Sequence, residues 1–202
     1  MRRWCMSVGA GALAVLTSLS ASAGAAQSEQ DDVELAPTPL QLADFELVDQ
    51  DSHPFRFSQR KGGNALIYFG FTQCPDICPA TLYKLKLLTQ ALRQDGGSTP
   101  AVIMISVDGD RDTPAALKAY LAPLSKDFIG LTGDPRTVRA IAANFSAVFF
   151  KGLPADDSGR YLVEHTSQVY LVDARGRLHA TFFDASVERM SRTVRSLDAP
   201  PR

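Results

Sequence analysis

An α/β sandwich, with a central mixed sheet flanked by helices, is the fold class this sequence predicts. Three observations lead there. Ala65-Leu66-Ile67-Tyr68-Phe69-Gly70-Phe71 is a continuous apolar run and Ala101 to Val107 is rich in β-branched residues, the pattern of buried strands. Between them Leu82, Leu85, Leu88 and Leu92 recur at helical spacing. Near the C-terminus, two short apolar segments flank Ala174-Arg175-Gly176-Arg177 and a last amphipathic helix follows, which reads as a hairpin closed by a helix. The chain has 202 residues, 45% hydrophobic and 21% charged, enough for one core without disulfide staples. Its formal net charge is -1 and it carries no long basic run, which excludes nucleic acid as an expected partner.

In chain order, Arg2 and Arg3 form a positive start, Ser7 to Ser18 is small and apolar, and Ala21 to Ala26 offers small-residue cleavage sites. This is the pattern of a secretory signal peptide over 1–26. Its apolar core is shorter than the roughly 20 residues that span a bilayer, which favours cleavage over an uncleaved anchor. Cleavage would take away two arginines and no acid, carrying the charge from -1 to -3. It would also remove Cys5, so Cys74 and Cys78 remain as the thiols of an exported, periplasmic protein in an oxidising compartment. Residues 27–39 are polar, acidic and proline-bearing and predict a flexible lead-in. The folded domain is expected over 40–198.

Phe45, Leu47 and Val48 open that domain, and His53-Pro54 falls in a turn between two short strands. The strand at 65–71 leads through Gln73 to Pro79 into the leucine-striped helix, which Gly96-Gly97 ends. Asp112-Thr113-Pro114 starts a second helix and Asp134-Pro135 a third, each with a capping side chain and proline at the first position. Phe149 and Phe150 predict a short strand, followed by a polar loop from Leu153 to Arg160 whose composition suits mobility. Strands at Gln168 to Val172 and Leu178 to Phe183 form the hairpin, and the last helix runs from about Val187 to Leu197. This order is that of a thioredoxin-like sandwich.

Cys74-Pro75-Asp76-Ile77-Cys78-Pro79 lies where the first buried strand meets the helix. Unpaired amides at a helix start stabilise a thiolate, so the pair is expected to have a lowered pKa. Thiols four residues apart lie about one turn from each other and can face one spot. They can form a disulfide and exchange electrons, or chelate a soft metal such as Cu(I). A disulfide closing so small a loop constrains the unfolded chain little, so a purely structural role is disfavoured.

Four segments resemble, in order, the conserved blocks of the Sco/SenC family of copper proteins. They are Tyr68-Phe69-Gly70-Phe71-Thr72-Gln73-Cys74-Pro75-Asp76-Ile77-Cys78-Pro79, Ile105 to Pro114, Gly130-Leu131-Thr132-Gly133-Asp134, and Tyr161-Leu162-Val163-Glu164-His165-Thr166. The resemblance implies a thioredoxin-like fold and one copper ion, Cu(I) or Cu(II), held by Cys74, Cys78 and His165. It implies a metallochaperone that takes copper from a donor protein and assists the copper-centre subunit of cytochrome c oxidase. The other implied role is a thiol-disulfide reductase in which Cys74 and Cys78 cycle. Family members are often tethered to the membrane, so a soluble monomer and a tethered one both stand. Glu164 takes a place where the family usually has Asp, and Asp110 one where Glu is common.

Of three histidines, His53 and His179 read as surface or packing residues. His165 stands just before a strand entry that, in a thioredoxin-like fold, normally carries a cis-proline beside the dithiol, and no proline lies between Ala155 and Ala199. An imidazole there favours metal binding over general dithiol exchange. Asp108, Asp110 and Asp112 lack the glutamate a calcium loop requires, and Asp112 is expected to belong to a helix cap. Asp76 is expected to cap or solvate the first helix, and Met104 and Met190 to sit in the core.

Overall fold

Every residue of the strand Ala65–Gly70 (β4) is buried, and this strand organises the molecule. In the computed structural model, residues 32–60, 63–152 and 161–198 are described. The signal segment 1–26, the start of the lead-in and the loop read over 153–160 lie outside them. The elements in order are β1 (Val33–Gln41), β2 (Glu46–Asp49), β3 (Pro54–Arg56), β4, α1 (Ile77–Gln94), β5 (Ala101–Ser106), α2 (Pro114–Leu121) and β6 (Ile129–Thr132). There follow α3 (Pro135–Ala143), β7 (Phe149–Lys151), β8 (Val163–His165), β9 (Val169–Val172), β10 (Arg177–Phe182) and α4 (Val187–Asp198).

One mixed sheet of eight strands runs β1-β10-β9-β4-β5-β6-β2-β3. β4, β5 and β6 are parallel neighbours, and β9 lies antiparallel against β4 with Tyr68 opposite Val169. Parallel strands need crossover connections, which α1 and α2 supply. Helix α1 buries Leu82, Leu85, Leu88 and Leu92, the stripe read from the sequence, and packs against α4. It ends where Gly96 takes a φ of 69° and the Gly97 amide reaches back to the Leu92 carbonyl, a geometry that favours glycine. Thr113 caps α2 by accepting from the Ala116 amide, and Asp134 caps α3 by accepting from Arg136 and Thr137. The arrangement is the α/β sandwich with helix-flanked mixed sheet that the sequence predicts.

Two elements differ from expectation. Residues 33–39, read as part of a flexible lead-in, belong to β1, which pairs antiparallel with β10 (Val33 opposite Phe182, Leu40 opposite Leu178). The folded part therefore begins before residue 40. The register shifts between Leu35 and Leu40, and Pro37 and Pro39 fall in that irregular stretch of an edge strand, where a missing N–H is tolerated. The second is β8, a strand not expected from the sequence, which pairs with β7 in a separate two-stranded ribbon (Phe149 opposite His165).

Candidate metal centre

The first sulfur is placed by the turn that leaves β4. The Cys74 amide donates to the Phe71 carbonyl, and α1 starts three residues later. Cys78 lies in the first turn of α1, so its N–H has no partner within the helix. It donates to Cys74 Sγ at 3.4 Å instead. The helix-start amide expected at the thiol pair is thus seen at Cys74.

Cys78 is fully buried, and its Sγ receives the Tyr68 hydroxyl at 3.3 Å. Burial pushes its thiol up to about 12, against the lowering pull of the Tyr68 hydrogen bond. The expected lowering is therefore overturned at Cys78. Loss of water outweighs the phenol and the Phe71 backbone hydrogen bond together. Both cysteines are free thiols.

Gly70, the last residue of β4, makes room for this sulfur. A Cβ there would stand 3.1 Å from Cys78 Sγ and 2.7 Å from the Tyr68 ring.

The third donor arrives on the ribbon. His165 ends β8, and its Nδ1 lies 2.9 Å from the Thr166 carbonyl. A carbonyl only accepts, so Nδ1 carries the hydrogen and Nε2 keeps its lone pair. Nε2 is 3.5 Å from Cys78 Sγ. The ring stands edge-on to Tyr68 (centroids 6.1 Å apart) and Phe71 (5.7 Å). Burial lowers the His165 pKa, with the Thr166 carbonyl pulling the other way, so the imidazole is neutral at pH 7.

One ligand atom each from Cys74, Cys78 and His165 lie within 4.8 Å of one another. Metal–sulfur and metal–imidazole bonds of about 2.0–2.3 Å span nearly that distance, so a small closure brings all three onto one ion. Two thiolates with one imidazole suit Cu(I) and leave Cu(II) room for a further donor.

The other sequence candidates lie apart from this group. The His53 side chain is 75% exposed, and His179 bonds Asp173 at 3.0 Å. Met104 and Met190 are core residues. Asp76 is the exposed N-cap residue of α1 and makes no side-chain cap bond, which leaves the solvating role of the two expected. Asp112 is no cap. It is fully buried and accepts from the Thr72 amide (2.9 Å), the Thr72 hydroxyl (2.6 Å) and the Ser106 hydroxyl (2.7 Å). Sequence reasoning also passed over Tyr68 and Gly70 as site residues. A tyrosine inside a wholly buried strand needs a partner for its hydroxyl, and that signal was available.

Among the described residues, no helix is long and apolar enough to cross a membrane. A family model described as SCO1/SenC matches residues 34–197. An SCO2-like protein of Rickettsia conorii is 36% identical over 194 residues, covering 94% of this chain and 91% of its own. Among solved structures, yeast Sco1 with copper bound superposes with a TM-score of 0.73 at 31% identity, covering 81% of this chain and 91% of that one. BsSco, described as a member of the Sco family of cytochrome c oxidase assembly proteins in which a disulfide switch was identified, superposes with a TM-score of 0.67. Its identity is 25%, over 83% of this chain and 99% of its own.

Proposed function

The chain belongs to the SCO1/SenC family, and from that premise we propose that it is a copper metallochaperone for cytochrome c oxidase. One copper ion is its cargo, held by Cys74 Sγ, Cys78 Sγ and His165 Nε2. The observation that carries the reading is the approach of His165 Nε2 to within 3.5 Å of Cys78 Sγ while Nδ1 is committed to Thr166. That leaves a lone pair aimed at a dithiol, the donor set a soft ion takes. The likeness to copper-bound yeast Sco1 supports copper as that ion, and the likeness to BsSco supports an oxidase-assembly role.

In this reading the protein is an exported monomer, free in the periplasm or tethered by an uncleaved N-terminal segment. It takes copper from a donor protein and passes it to the copper-centre subunit of the oxidase by ligand exchange. No net electron transfer is required. Binding as two thiolates releases the thiol protons of Cys74 and Cys78 to solvent, and the neutral imidazole needs no proton removed.

A second reading, thiol-disulfide reductase, is favoured by the free thiols and by the Cys78 amide at Cys74 Sγ. There the two thiols would give two electrons and two protons to a client disulfide and become a disulfide themselves. Copper titration of the reduced wild type and of His165→Ala, with the dithiol reduction potential measured on both, separates the readings. Loss of tight copper binding in the variant at unchanged redox behaviour supports the chaperone. A wild type that binds copper no better than a generic dithiol overturns it.

A further inference from the structure

The loop after β5 carries three alternating acids, and each is spent on a different segment of the site. Asp112 holds Thr72, two residues before Cys74. Asp110 meets Lys151 Nζ at 3.2 Å, at the end of β7. Asp108, itself buried, pairs with Arg111 Nε and accepts from the Tyr161 hydroxyl at 2.7 Å.

Arg111 joins these segments. Its Nη1 donates to Gln73 Oε1 at 3.1 Å, beside Cys74, and to the Tyr161 carbonyl at 3.0 Å, four residues before His165. The guanidinium lies 3.7 Å from the Tyr161 ring centroid. It also lies 6.0 Å from the centroid of Phe71, whose ring abuts His165. One side chain therefore touches the cysteine loop, the acid-bearing loop and the lead into β8.

The three acids do not weigh equally. Asp110 and Lys151 are both more than half exposed, so their attraction is screened and worth little. The Asp108 side chain is 3% exposed and that of Arg111 19%, and a charge stranded by removing either partner would be costly. Outside this cluster, the ribbon that carries His165 is held by backbone and side-chain bonds between Val148 and Thr166 and by Arg139 at the Phe149 carbonyl. Those contacts fix the β7 side and the far end of the ribbon. The approach to His165 from Tyr161 is held by Arg111 and Asp108, beside the Gly152 amide at the Leu162 carbonyl (2.8 Å) and Lys151 over the Tyr161 ring (4.1 Å).

We propose that Asp108, Arg111 and Tyr161 form a positioning clamp that sets the reach of His165 to Cys74 and Cys78. This rests on the reading of those three residues as the copper ligands. None of the clamp residues is itself a ligand in it. They act by fixing where the cysteine loop and the start of β8 stand relative to each other.

The test compares the reduced full chain as wild type, Arg111→Ala, His165→Ala and the double variant, by Cu(I) competition against a colorimetric chelator. Loss of such an outer-shell partner is expected to weaken copper binding about 10- to 100-fold. In the His165→Ala background the same substitution is expected to change nothing, because the clamp acts through the imidazole. In copper-free protein, the nuclear Overhauser contact between the His165 and Phe71 rings is expected to be lost in Arg111→Ala. Wild-type affinity in Arg111→Ala, or an equal loss in both backgrounds, overturns the clamp. If Arg111→Ala does not fold, Arg111→Lys decides by the same comparison, since it keeps a cation by Asp108 but cannot fork to Gln73 and Tyr161. If the wild type binds no copper, the ligand reading falls, and the ring contact in copper-free protein still decides the clamp.

Discussion

Tyr68 donates its phenolic hydrogen to Cys78 Sγ across 3.3 Å, inside a core where neither group meets water. Burial, followed by the neighbouring thiols, holds the Tyr68 pKa well above the ordinary phenol value. The phenol therefore stays a donor at any pH the fold survives. A sulfur buried this deeply has few ways to stabilise negative charge, and Tyr68 supplies one.

Tyr68→Phe keeps the ring against His165 and removes the hydroxyl, and with it the hydrogen given to Cys78. Without it, the Cys78 thiolate loses a donor and the thiol is expected to rise further. The pH profile of Cys78 alkylation should move to higher pH, with a stability change of about 1 kcal/mol. An unmoved profile would show that the phenol plays no part in the sulfur's chemistry.

The raised Cys78 pKa gives two pH dependences of opposite use. In the reduced, copper-free protein, the unfolded chain ionises near the ordinary value of 9.0, whereas the folded thiol holds its proton up to about 12. Stability from this group is therefore complete below pH 9 and is lost as pH rises toward 12. Copper affinity runs the other way. Each thiol proton that must leave makes binding stronger by up to about tenfold per pH unit. His165, whose pKa is lowered by burial, should add a loss of affinity only on the acid side of the ordinary imidazole value. Urea melts from pH 7 to 10 and Cu(I) competition from pH 6 to 9 read the two effects separately.

Gly70→Ala should injure the site while leaving all three proposed ligands in the sequence. The new methyl would stand 2.7 Å from a Tyr68 ring carbon and 3.1 Å from Cys78 Sγ, so the ring or the sulfur must move. Overpacking of this kind costs about 1–3 kcal/mol. Copper affinity is expected to fall with stability, because the displaced groups are the proposed ligand Cys78 and its hydrogen-bond donor. A variant with wild-type melting and wild-type copper binding would mean the core yields there freely.

The parts of this protein that could be read from its sequence are those with a repeating apolar signal. β4 announces itself as a continuous apolar run, β5 as a β-branched, largely apolar one, and α1 by four leucines at helical spacing. β1 and β8 carry no such signal. The first is an edge strand interrupted by two prolines, and the second is three residues long with only Val163 buried. β1 is paired by β10 near the other end of the chain, and β8 by the equally short β7 that precedes it. The site follows the same division. Cys74, Cys78 and His165 were visible as residue types in blocks. Their support was not, because the contacts of Asp112 with Thr72 and of Arg111 with Tyr161 span 40 and 50 residues. The misjudged Cys78 thiol has the same origin, since the local helix start was legible and the burial by the rest of the fold was not.

Asp112 offers the sharpest test of that long-range support. Its Oδ2 accepts from both the Thr72 amide and the Ser106 hydroxyl, and its Oδ1 accepts from the Thr72 hydroxyl. Three donors converge on the two acceptor atoms of a fully buried carboxylate. Asp112→Ala strands all three and should cost about 3 kcal/mol or more, since each buried unsatisfied group carries its own desolvation penalty. Asp112→Asn keeps the shape but turns one acceptor into a donor, so one edge of the amide must face a hydroxyl or the Thr72 N–H. A hydroxyl can rotate to accept and an amide N–H cannot, so the asparagine oxygen is expected to take the Oδ2 place. The asparagine variant should then fall between wild type and alanine in urea denaturation. Copper affinity should follow the same order, because Thr72 is two residues from Cys74 and its release loosens the first ligand. Equal stability of the asparagine and alanine variants would show that the carboxylate's charge, not its two acceptor positions, holds the cysteine loop.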